Sequence, residues 1–260
     1  MKIKKKVLIG LIGLGLVIPS FGFCDGYTGQ TMAIIEQAGS QNEAEITQDN
    51  SNNNFSKIGQ IGDKNLASIY QTGLSNHNEA KIYQEGNENT ADIEQLDSVS
   101  YNIAFITQIG KGNNAKIIQT LNGEHNLANI SQDGDYNIAD IDQTKANNYN
   151  EANITQDGNW NNAKVMQTYG ASYNIADITQ TGNHNYATID QRGVSYNKAY
   201  ITQYGDWNLA SITQISSYNQ AFISQDGNYN RAYISQGSNF DGYYAQISQT
   251  GYNNLATIIQ

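Results

Sequence analysis

Side-chain carboxamides recur at fixed spacing along this 260-residue chain. In the stretch Gln132 to Gln143, QDGDYNIADIDQ, a glutamine stands at each end, with Gly134 and Asn137 between. A primary amide offers two N–H donors and an acceptor oxygen. Identical amides held at one height in a stack therefore satisfy each other, each donating to the copy in the next layer and accepting from the copy behind. That is recognition chemistry addressed to a copy of itself. The ladder candidates are Gln37, Asn42, Gln48, Gln132, Asn137, Gln143, Asn254 and Gln260, with turn glycines at Gly39, Gly134, Gly158 and Gly251.

Other reactive side chains are scattered. His77, His125 and His184 each precede an asparagine, and no two occupy equivalent places in adjacent units, so they read as turn residues and not as metal ligands. The acidic turns Asp133-Gly134-Asp135 and Asp157-Gly158-Asn159 are similar to calcium-binding β-helix turns. Asx and glycine are also what any tight turn selects, and no metal is assigned. A file of Thr107, Ser131, Thr155, Thr179, Thr202, Ser224 and Ser248 raises an alternative, a soluble monomeric solenoid binding ice or a surface polysaccharide. Its companion positions, Phe105, Asn129, Asp177 and Tyr200, are too irregular for a lattice match. No recurring His, Asp and Lys cluster and no turn longer than six residues is available to build a pocket, so no catalytic residue, enzyme activity or cofactor is expected.

The elements that carry the amides are legible from periodicity. Twenty copies of N-x-A-x-I-x-Q run from Thr31 to Gln260; the seventh residue is always Gln, the fifth Ile except at Val165, and the third Ala except at Ser56. Apolar residues spaced by two mark a strand with one buried face, and β-branched Ile suits a pleated surface. The copies pair, the two members always 11 residues apart, through a four-residue turn whose second residue is glycine in all ten pairs. Such constancy implies a positive φ. Turns between pairs vary in length and are read as looser connections. A period near 24 residues predicts an all-β, two-sheet parallel β-solenoid, cross-β and amyloid-like, of ten strand-turn-strand rungs.

Because the strands of a rung run in opposite directions, Ala faces Ile and Asn faces Gln, so small meets large across a gap of about 10 Å. Outward, Asp92, Lys116, Asp140 and Lys164 place opposite charges in successive rungs. Tyr136, Tyr149, Trp160, Tyr173, Tyr196, Trp207, Tyr218 and Tyr229, at or beside the residue before Asn, are expected to stack along the rod's edge, where they also offer a face for sugars or dyes.

Residues 1–24 read as a secretory signal peptide, with Lys2, Lys4, Lys5 and Lys6 ahead of an apolar run and cleavage after Gly22 or Cys24. Phe23 argues against a lipidated Cys24. Residues 25–30 form a short leader, and 31–260 the solenoid. The remaining 10 basic and 24 acidic residues leave a net charge of −14, which makes nucleic acid an unfavourable partner. No other run approaches the ~18 apolar residues of a membrane helix, so an exported chain with no membrane span is expected. Both ends of the repeat copy an internal rung, with no proline and little edge charge, which predicts head-to-tail stacking into an open-ended homopolymer.

Gln132, Gly134, Asn137, Ala139 and Gln143 spell Q-x-G-x-x-N-x-A-x3-Q, the core of the curlin repeat, and the other within-pair junctions follow it. The chain resembles the curli subunits over essentially its whole mature length. The A-x-I-x-Q wording on both strands is more similar to the minor, nucleating subunit than to the major one. The resemblance implies a secreted protein of a Gram-negative bacterium that polymerises at the cell surface into amyloid fibres for biofilm matrix and adhesion. Its implied partners are further copies, other curlin subunits, and curli secretion and assembly proteins.

Overall fold

A computed structural model describes residues 31–49, 51–74, 76–97, 99–145, 148–237 and 242–260. The expected signal peptide, with Cys24, and the expected leader lie outside the described residues. The described chain is all strand and turn: twenty strands, β1 to β20 in chain order, each occupying one copy of the heptad from its second residue on. The odd strands, from β1 (Met32–Ala38) and β3 (Phe55–Asp63) to β17 (Gln220–Asn228) and β19 (Tyr244–Tyr252), form one ten-stranded sheet. The even strands, from β2 (Glu43–Asp49) and β4 (Leu66–Thr72) to β18 (Arg231–Gln236) and β20 (Leu255–Ile259), form the other. Every neighbouring pair is parallel, and the architecture is the predicted two-sheet β-solenoid, ten rungs high.

The register explains why the heptad tolerates so little change. Ala139 pairs with Ala163, Ile141 with Val165 and Gln143 with Gln167, and the same matching recurs in both sheets. Each inward residue thus rests on its own kind above and below. Ala67, Ile69, Ala128, Ile130, Ala187 and Ile189 are fully buried, and the Ala and Ile columns of the two sheets merge into one continuous core. Burying an Ile side chain contributes roughly 1.5–3 kcal/mol, so even a thin two-residue-wide core accumulates stability with each rung. In the first and last rungs the matching residues Ile35, Ala44, Ile46, Ala256 and Ile258 are only partly covered.

The between-pair turns are more ordered than their variable length suggested. Asn52, Asn76, Ser100, Glu124, Asn148, Ser172 and Ser195 form a chain of parallel bridges from rung to rung, and Val99, Ala171 and Val194 in these turns are buried. A turn of uneven length still stacks when one short segment keeps its height and directs an apolar residue inward.

Candidate functional site

The two glutamine columns run unbroken through all ten rungs. Gln37 Nε2 donates to Gln60 Oε1 at 2.6 Å, and the same bond repeats through Gln108, Gln132 and Gln156 to Gln249. The second column begins with Gln48 Nε2 donating to Gln71 Oε1 at 2.8 Å and runs through Gln143 to Gln260. Every bond points the same way, from the earlier rung to the later. The remaining N–H fixes this direction by crossing the core: Gln132 Nε2 donates to the Asn114 carbonyl at 3.2 Å, and Gln143 Nε2 to the Leu127 carbonyl at 3.1 Å. A flipped amide would set oxygen against oxygen at both contacts. Both amide protons are satisfied inside a dry core, which is what makes Gln132 and Gln143 tolerable there at 1% and 0% exposure.

The asparagines do not form the amide-to-amide ladder expected of them. Asn137 is buried, but its Oδ1 accepts from the backbone N–H of Asn161 at 3.0 Å, and its Nδ2 donates to the carbonyl of Gly158 at 2.7 Å. Asn42 makes the same pair of bonds, to Asn65 N–H and to the Gly62 carbonyl. Direct amide contacts are few, at Asn89, Asn150 and Asn254. The side chain is one methylene shorter than Gln and stands where the strand leaves the turn. It therefore reaches turn backbone that the sheets leave unpaired.

The turn glycines are tied to the same contact. All ten have φ between 99° and 120°, as the fixed glycine implied. Sterics add a second reason. A Cβ on Gly134 or Gly158 would lie 2.1 or 2.0 Å from the carbonyl oxygen of the glycine one rung on. The residue after the glycine also works as a cap: Asp135 Oδ1 accepts from Lys111 N–H and Asn159 Oδ1 from Asp135 N–H, both at 2.8 Å. Two of the side chains that suggested calcium turns, Asp135 and Asn159, thus have an oxygen engaged by backbone, and among the described residues no cluster of three or more His, Cys, Asp or Glu is assembled that could hold a metal.

The end rungs bear the edge strands of both sheets, β1 and β2 at one end, β19 and β20 at the other. Gln37 and Ala33 are exposed, where their counterparts one rung in, Gln60 and Ser56, are buried. At the far end Leu255 and Ile259 are 72% and 79% exposed. The first rung carries Glu36, Glu43, Glu45 and Asp49, which corrects the expectation of little edge charge; strands β19 and β20 have no charged side chain.

Five stretches of the chain, 62–96, 148–182, 174–205, 182–215 and 205–237, match the curlin associated repeat. The chain belongs to the curlin-repeat family. No curated protein matches it. Curlin is a structural family of extracellular curli subunits, and a rod of identical rungs fits that role.

The curlin-repeat rod also carries a conformation that the periodicity did not disclose. The residue before nearly every heptad asparagine is left-handed: Tyr136, Tyr149, Trp160, Tyr173, His184 and Trp207 all have φ between 55° and 59°. Bulky residues seldom occupy this region. Here they are compensated by stacking. One column runs His77, Tyr101, His125, Tyr149, Tyr173, Tyr196, Tyr218, with centroids 4.7–5.0 Å apart. A second, Tyr136, Trp160, His184, Trp207, Tyr229, lines the glycine turns. The histidines belong to these columns. The signal available in the sequence was the recurrence of a ring beside the asparagine, not the backbone it adopts.

On the outer faces of the rod Lys116 bridges Asp92 at 3.1 Å and Lys164 bridges Asp140 at 3.0 Å, so the charge alternation forms pairs. The hydroxyl file is in register from Thr107 to Ser248, but beside Phe105, Asp177 and Tyr200 it is not a flat lattice. Asp142 pairs with Ile118 and Met166, its Oδ1 is buried without a hydrogen-bond partner, and burial pushes its carboxyl above the usual range. Asp177 is raised by the same cause.

Proposed function

We propose that this curlin-repeat protein is a structural subunit of extracellular curli-like amyloid fibres, exported from a Gram-negative cell and serving biofilm matrix and adhesion, with no catalytic role. Subunits join end to end, one rod continuing the next. Other curlin subunits and the curli secretion and assembly proteins are its partners outside the homopolymer.

The observation that supports this reading most is the identity of the end rungs with the interior. Ala245, Ile247, Gln249 and Gly251 of β19 repeat Ala33, Ile35, Gln37 and Gly39 of the first rung, and Ala256, Ile258 and Gln260 repeat Ala44, Ile46 and Gln48. Two copies placed end to end would extend each column without a change of partner type. Open parallel edges of this kind template further strands.

The test is to purify the chain from Asp25 onward and follow thioflavin fluorescence, electron microscopy and fibre diffraction. Seeded fibres with a meridional reflection at about 4.8 Å are expected. A persistent monomer showing thermal hysteresis in freezing solution would replace this reading with ice binding.

A further inference from the structure

The chain has two tryptophans, and both stand in the column that lines the glycine turns. Trp160 stacks on Tyr136 with centroids 4.5 Å apart and planes within 18°, and Trp207 lies parallel to Tyr229 at 6.1 Å. His184 separates the two indoles, 6.3 Å from Trp160 and 4.2 Å from Trp207. Each indole therefore has a phenol on one side and the same imidazole on the other. Stacking offsets the left-handed backbone at these positions, but any ring would serve that purpose.

Indole and phenol are the side-chain rings that give up one electron most readily, and imidazole resists. Near neutral pH an indolyl radical is a stronger oxidant than a phenoxyl radical, so an electron vacancy on Trp runs downhill to a neighbouring Tyr. Transfer falls off exponentially with separation, and rings in or near contact leave little gap to cross. His184 divides the column into two such couples, Tyr136 with Trp160 and Trp207 with Tyr229. Both indoles are exposed, within reach of a dissolved oxidant. The column ends in phenols on both sides. Tyr136 packs on Gly112, its ring carbons 2.7 Å from where a Cβ of that glycine would stand. Beyond Tyr229 comes Tyr252, edge-on at 5.3 Å and exposed.

We propose that this column is a one-electron relay in which Trp160 and Trp207 take up oxidation and Tyr136 and Tyr229 receive it. A one-electron oxidant in the surroundings, an oxidising radical or a high-valent metal complex, removes an electron from the indole, whose N–H proton passes to water. The neutral indolyl then takes an electron from the phenol beside it and a proton from water, and the phenol releases its own proton to water. In sum the tyrosine loses one electron to the oxidant and one proton to solvent, and the tryptophan is restored. The relay lies within one chain and does not depend on end-to-end assembly.

Pulse radiolysis of the purified chain tests the relay, with azide radical as the oxidant because it attacks indole in preference to phenol. In the folded wild type the indolyl absorption should decay as the phenoxyl absorption rises, at rates unaffected by protein concentration. Tyr136→Phe combined with Tyr229→Phe keeps rings in the stack and removes both phenols. The indolyl should then persist roughly tenfold longer or more, the factor that a barrier higher by about 1.4 kcal/mol produces. Tyr136→Phe alone should remove more of the fast phase than Tyr229→Phe alone, since its couple is the closer one. Tyr173→Phe, in the other column, should leave the decay unchanged. Wild-type chain unfolded in urea provides a second measurement that needs no variant to fold, and there the fast phase should disappear. An indolyl lifetime unchanged by the double substitution, a phenoxyl rise that scales with protein concentration, or a fast phase that survives unfolding at the same rate overturns the relay and leaves the column a purely structural stack.

Discussion

Asn137 Nδ2 donates to the carbonyl oxygen of Gly158 at 2.7 Å, one rung along and across a turn. The carbonyl belongs to the residue whose missing side chain lets the two turns approach, so the asparagine and the glycine of the repeat are two halves of one contact. Gly158→Ala would drive a methyl to 2.0 Å from the Gly182 oxygen, at an expected cost of about 3 kcal/mol from overpacking and backbone strain. Asn137→Ala should cost about 1–3 kcal/mol by leaving buried backbone unpaired. Urea unfolding of the soluble chain checks both; a change below ~0.5 kcal/mol for either would dissolve the coupling.

Ile189 is fully buried and Ser211 faces outward on the neighbouring rung. Ile189→Ala should lose about 2–5 kcal/mol to cavity formation. Ser211→Ala should stay within ~0.5 kcal/mol. Equal losses in thermal unfolding would mean that the inside and outside of the rod have been exchanged.

Asp142 and Asp177 carry carboxyls raised by burial, for Asp142 partly offset by a hydrogen bond from Thr144, for Asp177 by one from Asn153. The sign follows from linkage. A folded carboxyl that keeps its proton to higher pH than the unfolded one makes the folded state bind more protons in the intervening window. Stability therefore falls as pH rises from the ordinary carboxylate range through the raised values, and returns on acidification. Asp142→Val, between Ile118 and Met166, should stabilise the chain at pH 7 by about 1 kcal/mol, since it removes a buried unpaired oxygen. The gain over wild type should shrink at pH 4. A pH-independent difference in melting temperature would refute the titration of Asp142 as its source.

Tyr173 sits at a φ of 57° between Tyr149 and Tyr196. Asparagine tolerates this backbone and removes only the rings' contact, worth about 0.5–1.5 kcal/mol. Valine removes the same contact and adds a β-branched residue in the left-handed region. Tyr173→Val should therefore be less stable than Tyr173→Asn; the reverse order would locate the role of Tyr173 in its side chain alone.

The sheets, the strand register and the glutamine columns were legible because they depend on period. Residues spaced by two, recurring at one height, leave few arrangements in which Gln can be buried and satisfied, and Gln132 and Gln143 occupy the predicted one. Asn137 was harder to read. Its type announced a ladder, but its position at the mouth of a turn gave it backbone partners that only three-dimensional placement reveals. The left-handed Tyr and Trp residues defeated the usual preference for Gly or Asn because stacking from rung to rung, a non-local effect, supplied the compensation. The order of the between-pair turns was likewise hidden by their uneven lengths.

Twenty carboxamides pointing one way, joined by eighteen hydrogen bonds, have an electrical consequence. Backbone amides in a parallel sheet alternate between the two axial directions and largely cancel, whereas the glutamine dipoles add. Each amide polarises the next, so bonds in mid-column are strengthened by something like 10–30% over an isolated pair. The rod is then firmest at its centre and frays from its tips, and in an applied electric field it should orient lengthwise with the Gln249 and Gln260 end toward the negative electrode.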